Sequence, residues 1–124
     1  MIKQSVSVDK LIETARHCLK EGFVYPVLHT AVDYETHLEL IYILRNLEQG
    51  DDRILSVILD ANAPSVPSLT PWIPGLIFQE REVYDLFGVS YDHHPHLTRL
   101  LLPDKFRGHP LRKHYTLAEG EVTS

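Results

Sequence analysis

The chain has 124 residues, 44% of them hydrophobic, and a formal charge of −5. That length fits one domain, and the apolar content is enough to bury a core, unlike a disordered chain of low hydrophobicity and high charge. The acidic balance argues against nucleic-acid binding by the surface as a whole.

Ser7 reads as a helix N-cap. Behind it Val8, Leu11, Ile12, Ala15, Cys18 and Leu19 recur at helical spacing with charged residues between them, and Gly22 closes the segment. Cys18 is the only cysteine and falls on the apolar stripe, where a buried thiol is expected. A single cysteine forms no internal disulfide and cannot hold an iron–sulfur cluster, so a reducing, intracellular compartment is expected. No apolar run approaches the roughly 20 residues of a membrane span. The opening MIKQSVSVDK has no apolar signal segment, so a membrane would be reached through a partner.

Three strand-like runs follow. Phe23–Ala31 is rich in Val and aromatic residues, and Pro26 assigns it to a sheet edge or delays its start. His37–Leu47 alternates, with Leu38, Leu40, Tyr42 and Leu44 on one side and Glu39, Ile41, Ile43 and Arg45 on the other. The turn EQGDD leads into Arg53–Asp60, nearly continuous in apolar residues, and these last two runs are expected to form a hairpin. A helix over a small mixed or antiparallel sheet makes the fold class α+β.

ANAPSVPSLTPWIPG carries Pro64, Pro67, Pro71 and Pro74, which predicts a stiff connector with no regular element and Trp72 as its packing anchor. Gly75–Phe87 returns to helical spacing, with Leu76, Val83 and Phe87 on one stripe and Gly88 as the stop. Beyond it the period is lost. From His93 to Leu117 there are five Lys and Arg against Asp104 alone, whereas Met1–Asn62 carries 6 Lys and Arg against 10 Asp and Glu. A basic arm on an acidic body predicts an anionic partner. His94 and His109 each precede a proline, which pushes them extended. Residues 1–88 are thus expected to form the body, 89–117 an extended basic docking arm and 118–124 a flexible tail.

The candidate chemistry lies in Glu80–Phe87 and in the arm. Glu80 and Glu82 are two apart and face different ways, so they make a poor acid–base pair; Arg81 and Asp85 are four apart and can pair. The common reading of such a charge run is a solvated helix face with one or two ion pairs. Asp92, His93, His94, His96, His109 and His114 could supply zinc ligands, and an autonomous metal-dependent enzyme using Asp92, His93, His94 and His96 is one alternative, but neither a His-Glu-x-x-His pair nor a cysteine pair supports a site. No phosphate-binding glycine loop and no nucleophile elbow occurs. Tyr91, Phe106 and Tyr115 interleave with the arm's charges, which leaves an RNA-binding arm as an alternative. The remaining reading is an interaction subunit whose arm is ordered by another protein.

EREVYDLFGV at Glu80–Val89, followed by HPHLTRLLLPDKFRGHPLRKHY at His94–Tyr115, closely resembles the signature of the C subunit of proton-pumping NADH dehydrogenase, respiratory complex I. The same module occurs in energy-converting membrane-bound nickel–iron hydrogenases. AVDY at Ala31–Tyr34 and PSVPSLTPWIPG at Pro64–Gly75 also fit, so the resemblance runs from about Leu28 to Leu117. It implies a hydrophilic scaffold subunit without a catalytic residue, cofactor or metal of its own. Such a subunit docks on the large hydrogenase-derived subunit, beside the small iron–sulfur subunit, on the cytoplasmic side. Iron–sulfur clusters, and nickel–iron or quinone, then belong to the partners. The residues matching the motif, and so expected to dock, are Glu80, Arg81, Glu82, Tyr84, Asp85, His94, Arg99, His109, Arg112 and Lys113. Arg99, Arg112 and Lys113 would pair with partner carboxylates. His93, His96, Thr98, Lys105 and His114 stand where the family often has Gly, Asp, Arg, Asp and Asp, departures that bear on the partner and not on the fold; as a compact module the chain resembles the hydrogenase, or a ferredoxin- or formate-linked version, more than the full complex I subunit.

Overall fold

Alternation along His37–Leu47 decides where the core lies: Leu38, Leu40, Tyr42 and Leu44 are fully buried. The computed structural model describes residues 2–95 together with Leu97, His109, Leu111 and Arg112. The strands β1 (Ile2–Ser5), β2 (Tyr25–Asp33), β3 (His37–Asn46) and β4 (Asp51–Asp60) form one mixed sheet in the order β1-β4-β3-β2. β3 and β4 make the expected hairpin, pairing from Asn46↔Asp51 to His37↔Asp60. Its turn is held by Asn46, whose Oδ1 accepts the Glu48 and Gln49 backbone N–H groups. β2 lies on the edge, and its register shifts between Pro26 and Leu28, where proline cannot donate to a ladder.

Helix α1 (Leu11–Lys20) follows a single 3-10 turn at Val8–Lys10. Ser7 is extended there but makes no side-chain cap bond, so the expected N-cap is positional only. Leu11, Ala15 and Cys18 are buried, joining Leu55, Val57 and Leu59 of β4 in one apolar cluster. Truncating a core leucine such as Leu40 to alanine costs about 2–5 kcal/mol.

The connector departs from expectation. Ser65–Pro67 is a short strand, β5, paired in parallel with β6 (Ser90–Asp92). Pro67 is tolerated because it ends the strand. Trp72 is partly buried against the core. Helix α2 (Ile77–Phe87) then buries Val83 and Phe87 and stops at Gly88, whose φ of +81° is the left-handed conformation glycine adopts freely. β6 falls within the stretch assigned to the arm, yet pairs with the body; residues 118–124 lie outside the described residues.

Candidate functional site: a buried carboxylate and a basic strap

α2 carries Glu80 into the interior with none of its surface exposed. The connector turns three donors onto it. Ser68 Oγ and Thr70 Oγ1 donate to Oε1 at 2.6 and 2.9 Å, and the Leu69 N–H donates to Oε2 at 2.9 Å. Burial pushes the Glu80 carboxyl above its ordinary range, opposed by these donors and by His94. The His94 ring is also buried; its Nε2 lies 3.1 Å from the Ile77 carbonyl and 3.7 Å from Glu80. The solvated-face reading is therefore wrong for Glu80. Helical geometry turned it toward the sheet, and the proline-bent connector wrapped donors around it. Its oxygens bind within the domain and offer no surface to a partner, and Asp85 is buried as completely.

Beneath α2 lies a second polar group that the sequence reading missed. His29 of β2 faces inward opposite Tyr42, stacked on its ring at 4.0 Å. Its Nδ1 sits 3.1 Å from the Ile41 carbonyl, which assigns the proton to that nitrogen, so Nε2 accepts from Tyr91 Oη at 2.6 Å. Full burial pushes the imidazole down to about 4. The Gln79 side chain accepts the His29 backbone N–H, tying α2 to the edge strand. Only the period-two phase of β2 could have signalled that His29 points inward. Tyr42 Oη finds no hydrogen-bond partner among the described residues.

The third feature is a strap from His109 to Arg112. A helix leaves its last carbonyls without intrahelical partners. The Tyr84 carbonyl takes the Gly88 N–H. Asp85 takes His109 Nδ1 at 2.9 Å, Leu86 takes the Leu111 N–H at 3.0 Å, and Phe87 takes the Arg112 guanidinium at 3.0 Å. Arg112 also donates to the Asp33 carboxylate at 3.0 Å and to the Ala61 carbonyl at 2.8 Å, joining the ends of β2, β4 and α2. The Arg112 cation at the negative end of the helix dipole adds to this hold. Gly88 also lets the His109 ring approach, because a Cβ there would lie 2.8 Å from the ring.

Arg112 was expected to reach a partner carboxylate; its donors bind its own body instead, because the chain is back at the end of α2 by His109. Arg112→Glu is consequently expected to lower the stability of the isolated chain by about 3 kcal/mol, measured by urea denaturation. A change under about 0.5 kcal/mol would mean that the strap contributes nothing to the fold. Of the other expected residues, Arg81 and Tyr84 are half-buried and Glu82 is exposed. His94 and His109 point to separate carbonyls rather than to one ligand position. Arg99, Lys113, His96 and His114 lie outside the described residues.

Residues 4–121 match the family model described as respiratory-chain NADH dehydrogenase, 30 Kd subunit. The chain belongs to that 30 kDa family. Among its relatives is the NADH-quinone oxidoreductase C subunit of Moorella thermoacetica, 39% identical over 94% of this chain and 85% of that protein. The corresponding protein of a Roseiflexus species is 43% identical over 73% of this chain, which spans 54% of that longer relative. The fold of this 30 kDa-family chain is shared by the trypsin-resistant fragment of Nqo5, with a TM-score of 0.71, 26% identity and coverage of 77% of this chain and 81% of that one. A chain of an archaeal respiratory membrane complex, the membrane-bound sulfane sulfur reductase, matches with a TM-score of 0.69 and 28% identity, covering 74% of this chain and 56% of that one. The expected family and α+β fold are thereby confirmed. Among the described residues no helix is long and apolar enough to cross a membrane.

Proposed function

We propose that this family member is a scaffold subunit, without cofactor of its own, of a membrane-bound electron-transfer complex. It docks on the hydrogenase-like large subunit, beside the small iron–sulfur subunit, at the cytoplasmic face. Its part in turnover and in ion translocation is indirect: it holds the partner's reduction site and electron entry in register. Iron–sulfur clusters, with nickel–iron or quinone, reside in the partners.

The observation that carries this reading is the family match over residues 4–121. The direction of the polar chemistry supports it. Glu80, His94 and Arg112 bind inward and fix the shape of the domain. One face open to a partner among the described residues is the outer side of α2, where Phe78 is 60% exposed with the Arg81 guanidinium 5.9 Å from its ring, beside exposed Glu82. Leu111 is 52% exposed at the strap. An exposed aromatic flanked by arginine is the usual composition of an interface anchor. Arg99, Lys105, Arg107 and Lys113 would add charge along the arm.

The likeness to an archaeal sulfane sulfur reductase favours a second reading of the electron path, in which the same scaffold serves a complex unrelated to quinone. Paired Cys-x-x-Cys motifs in the large partner would indicate the hydrogenase form.

The docking reading is tested by co-purification of the full chain from its own membranes. Phe78→Asp is expected to cut recovery of the large subunit about tenfold at a nearly unchanged melting temperature. Undiminished recovery would count against docking through α2. Turnover of NADH, hydrogen or quinone by the purified chain alone would remove the scaffold role.

A further inference from the structure

The sheet has two faces, and the two helices pack on one of them, where Leu40, Tyr42, Leu55 and Val57 join the core. The ladder register builds the other face. Leu28, Ile43 and Ile54 share one row across β2, β3 and β4, Ile41 lies in the next, and Val32 and Ile58 lie in the third. The solvated face of an antiparallel sheet is normally polar. These rows are aliphatic instead, with Leu28 43% and Ile58 55% exposed. The charges on this face are matched within it. Glu39 lies between Val32 and Ile58, where Ser56 Oγ donates to it at 2.5 Å, Tyr34 Oη donates at 3.2 Å and Lys3 Nζ lies 3.4 Å away. At the far end Arg45 donates twice to Asp52, at 2.6 and 3.0 Å. Covering these rows strands neither carboxylate and neither cation. With Lys3 and Arg45 both paired, an anionic lipid surface gains no cation from them.

We propose that this face seats one amphipathic helix of a neighbouring subunit, laid along the strands with an uncharged aliphatic stripe turned to the sheet. The dimensions select that occupant. The three rows span about 10 Å across the strands and about 13 Å along them. That is roughly the width of one helix and the length of about nine helical residues, enough to present three or four apolar side chains at three- and four-residue spacing. The footprint falls far short of the roughly 800 Å² per partner that a free-standing complex buries. It therefore suits an element of a chain that is also held elsewhere, and not a second copy docking through these rows alone. A helix here completes a layer on the face that α1 and α2 leave bare. The helix seat rests on the docking reading, which supplies the other contact at Phe78, on the opposite side of the sheet; the subunit is then gripped from both sides.

The test uses the full chain in the complex from its own membranes. A photo-crosslinker in place of Ile58 is expected to join another subunit, at residues three or four apart on the apolar stripe of one helix. Adducts confined to a second copy of this chain, to lipid or to a non-helical segment would overturn the seat, as would no adduct at all. Ile58→Lys should move the melting temperature of the free chain by less than about 3 °C, because the ammonium stays in water there. In the complex the same substitution buries a charge, and recovery of the neighbouring subunit should fall about tenfold. Should Ile58→Lys not fold, Leu28→Lys puts the same question at the edge strand. Full recovery with a folded lysine variant, while Phe78→Asp still loses the partner, would overturn the seat and leave docking through α2 standing. Full recovery with both would remove the two readings together.

Discussion

Replacing Glu80 with alanine is expected to cost about 3–5 kcal/mol, because it strands two hydroxyls and a backbone N–H inside the protein and leaves a void in place of their acceptor. The effect should appear in urea denaturation as a lower midpoint at unchanged slope. Glu80→Gln keeps one acceptor oxygen and should lose roughly half as much. The two variants also separate by pH. Burial raises the Glu80 carboxyl, so the unfolded chain ionises first as pH climbs through the ordinary carboxylate range. Stability from this group is full below that range and declines until pH passes the raised value. The advantage of the natural chain over Glu80→Gln should therefore narrow as pH rises through that window. A loss under about 1 kcal/mol for the alanine variant would show that the connector is held by other contacts.

The second large effect is acid sensitivity. His29 is wholly buried and its imidazole is pushed down to about 4 from an ordinary value of 6.5. Between those values the unfolded chain takes up a proton that the folded chain refuses. Stability from this group is complete above the unfolded value and is lost as pH falls toward about 4, a decline of roughly 3 kcal/mol. His29→Gln retains an acceptor for Tyr91 and removes the titration. Its stability should be lower at neutral pH, and the natural chain's advantage over it should shrink as pH falls across the same window. An equally steep decline in that variant would assign the acid sensitivity elsewhere.

The elements with strong local periodicity were legible in the sequence: α1, the β3–β4 hairpin, α2 and its glycine stop. β1 was not, because Ile-Lys-Gln-Ser has no alternation and becomes a strand only by pairing with β4. β5 escaped for a related reason, since four prolines mask a three-residue pairing whose partner lies beyond α2. In the site, helical spacing set Glu80 on the side nearer the core, but its burial depended on Ser68, Leu69 and Thr70, which no local pattern places. Arg112 shows the same limit. Its charge pointed to a carboxylate on a partner, whereas the guanidinium meets Asp33, 79 positions earlier in the same chain.

The parallel pairing of Ile2–Ser5 with Arg53–Ser56 makes β1 the strand of this sheet with the longest loop to close. Ile2–Ser5 lie about fifty positions before their partners on β4. The β2–β3–β4 meander closes through short turns, whereas β1 must cross a long span of chain to join it. Until β1 arrives, β4 presents an unguarded rim of backbone groups to other nascent chains, and crowding at that moment is when this protein is most exposed to mispairing.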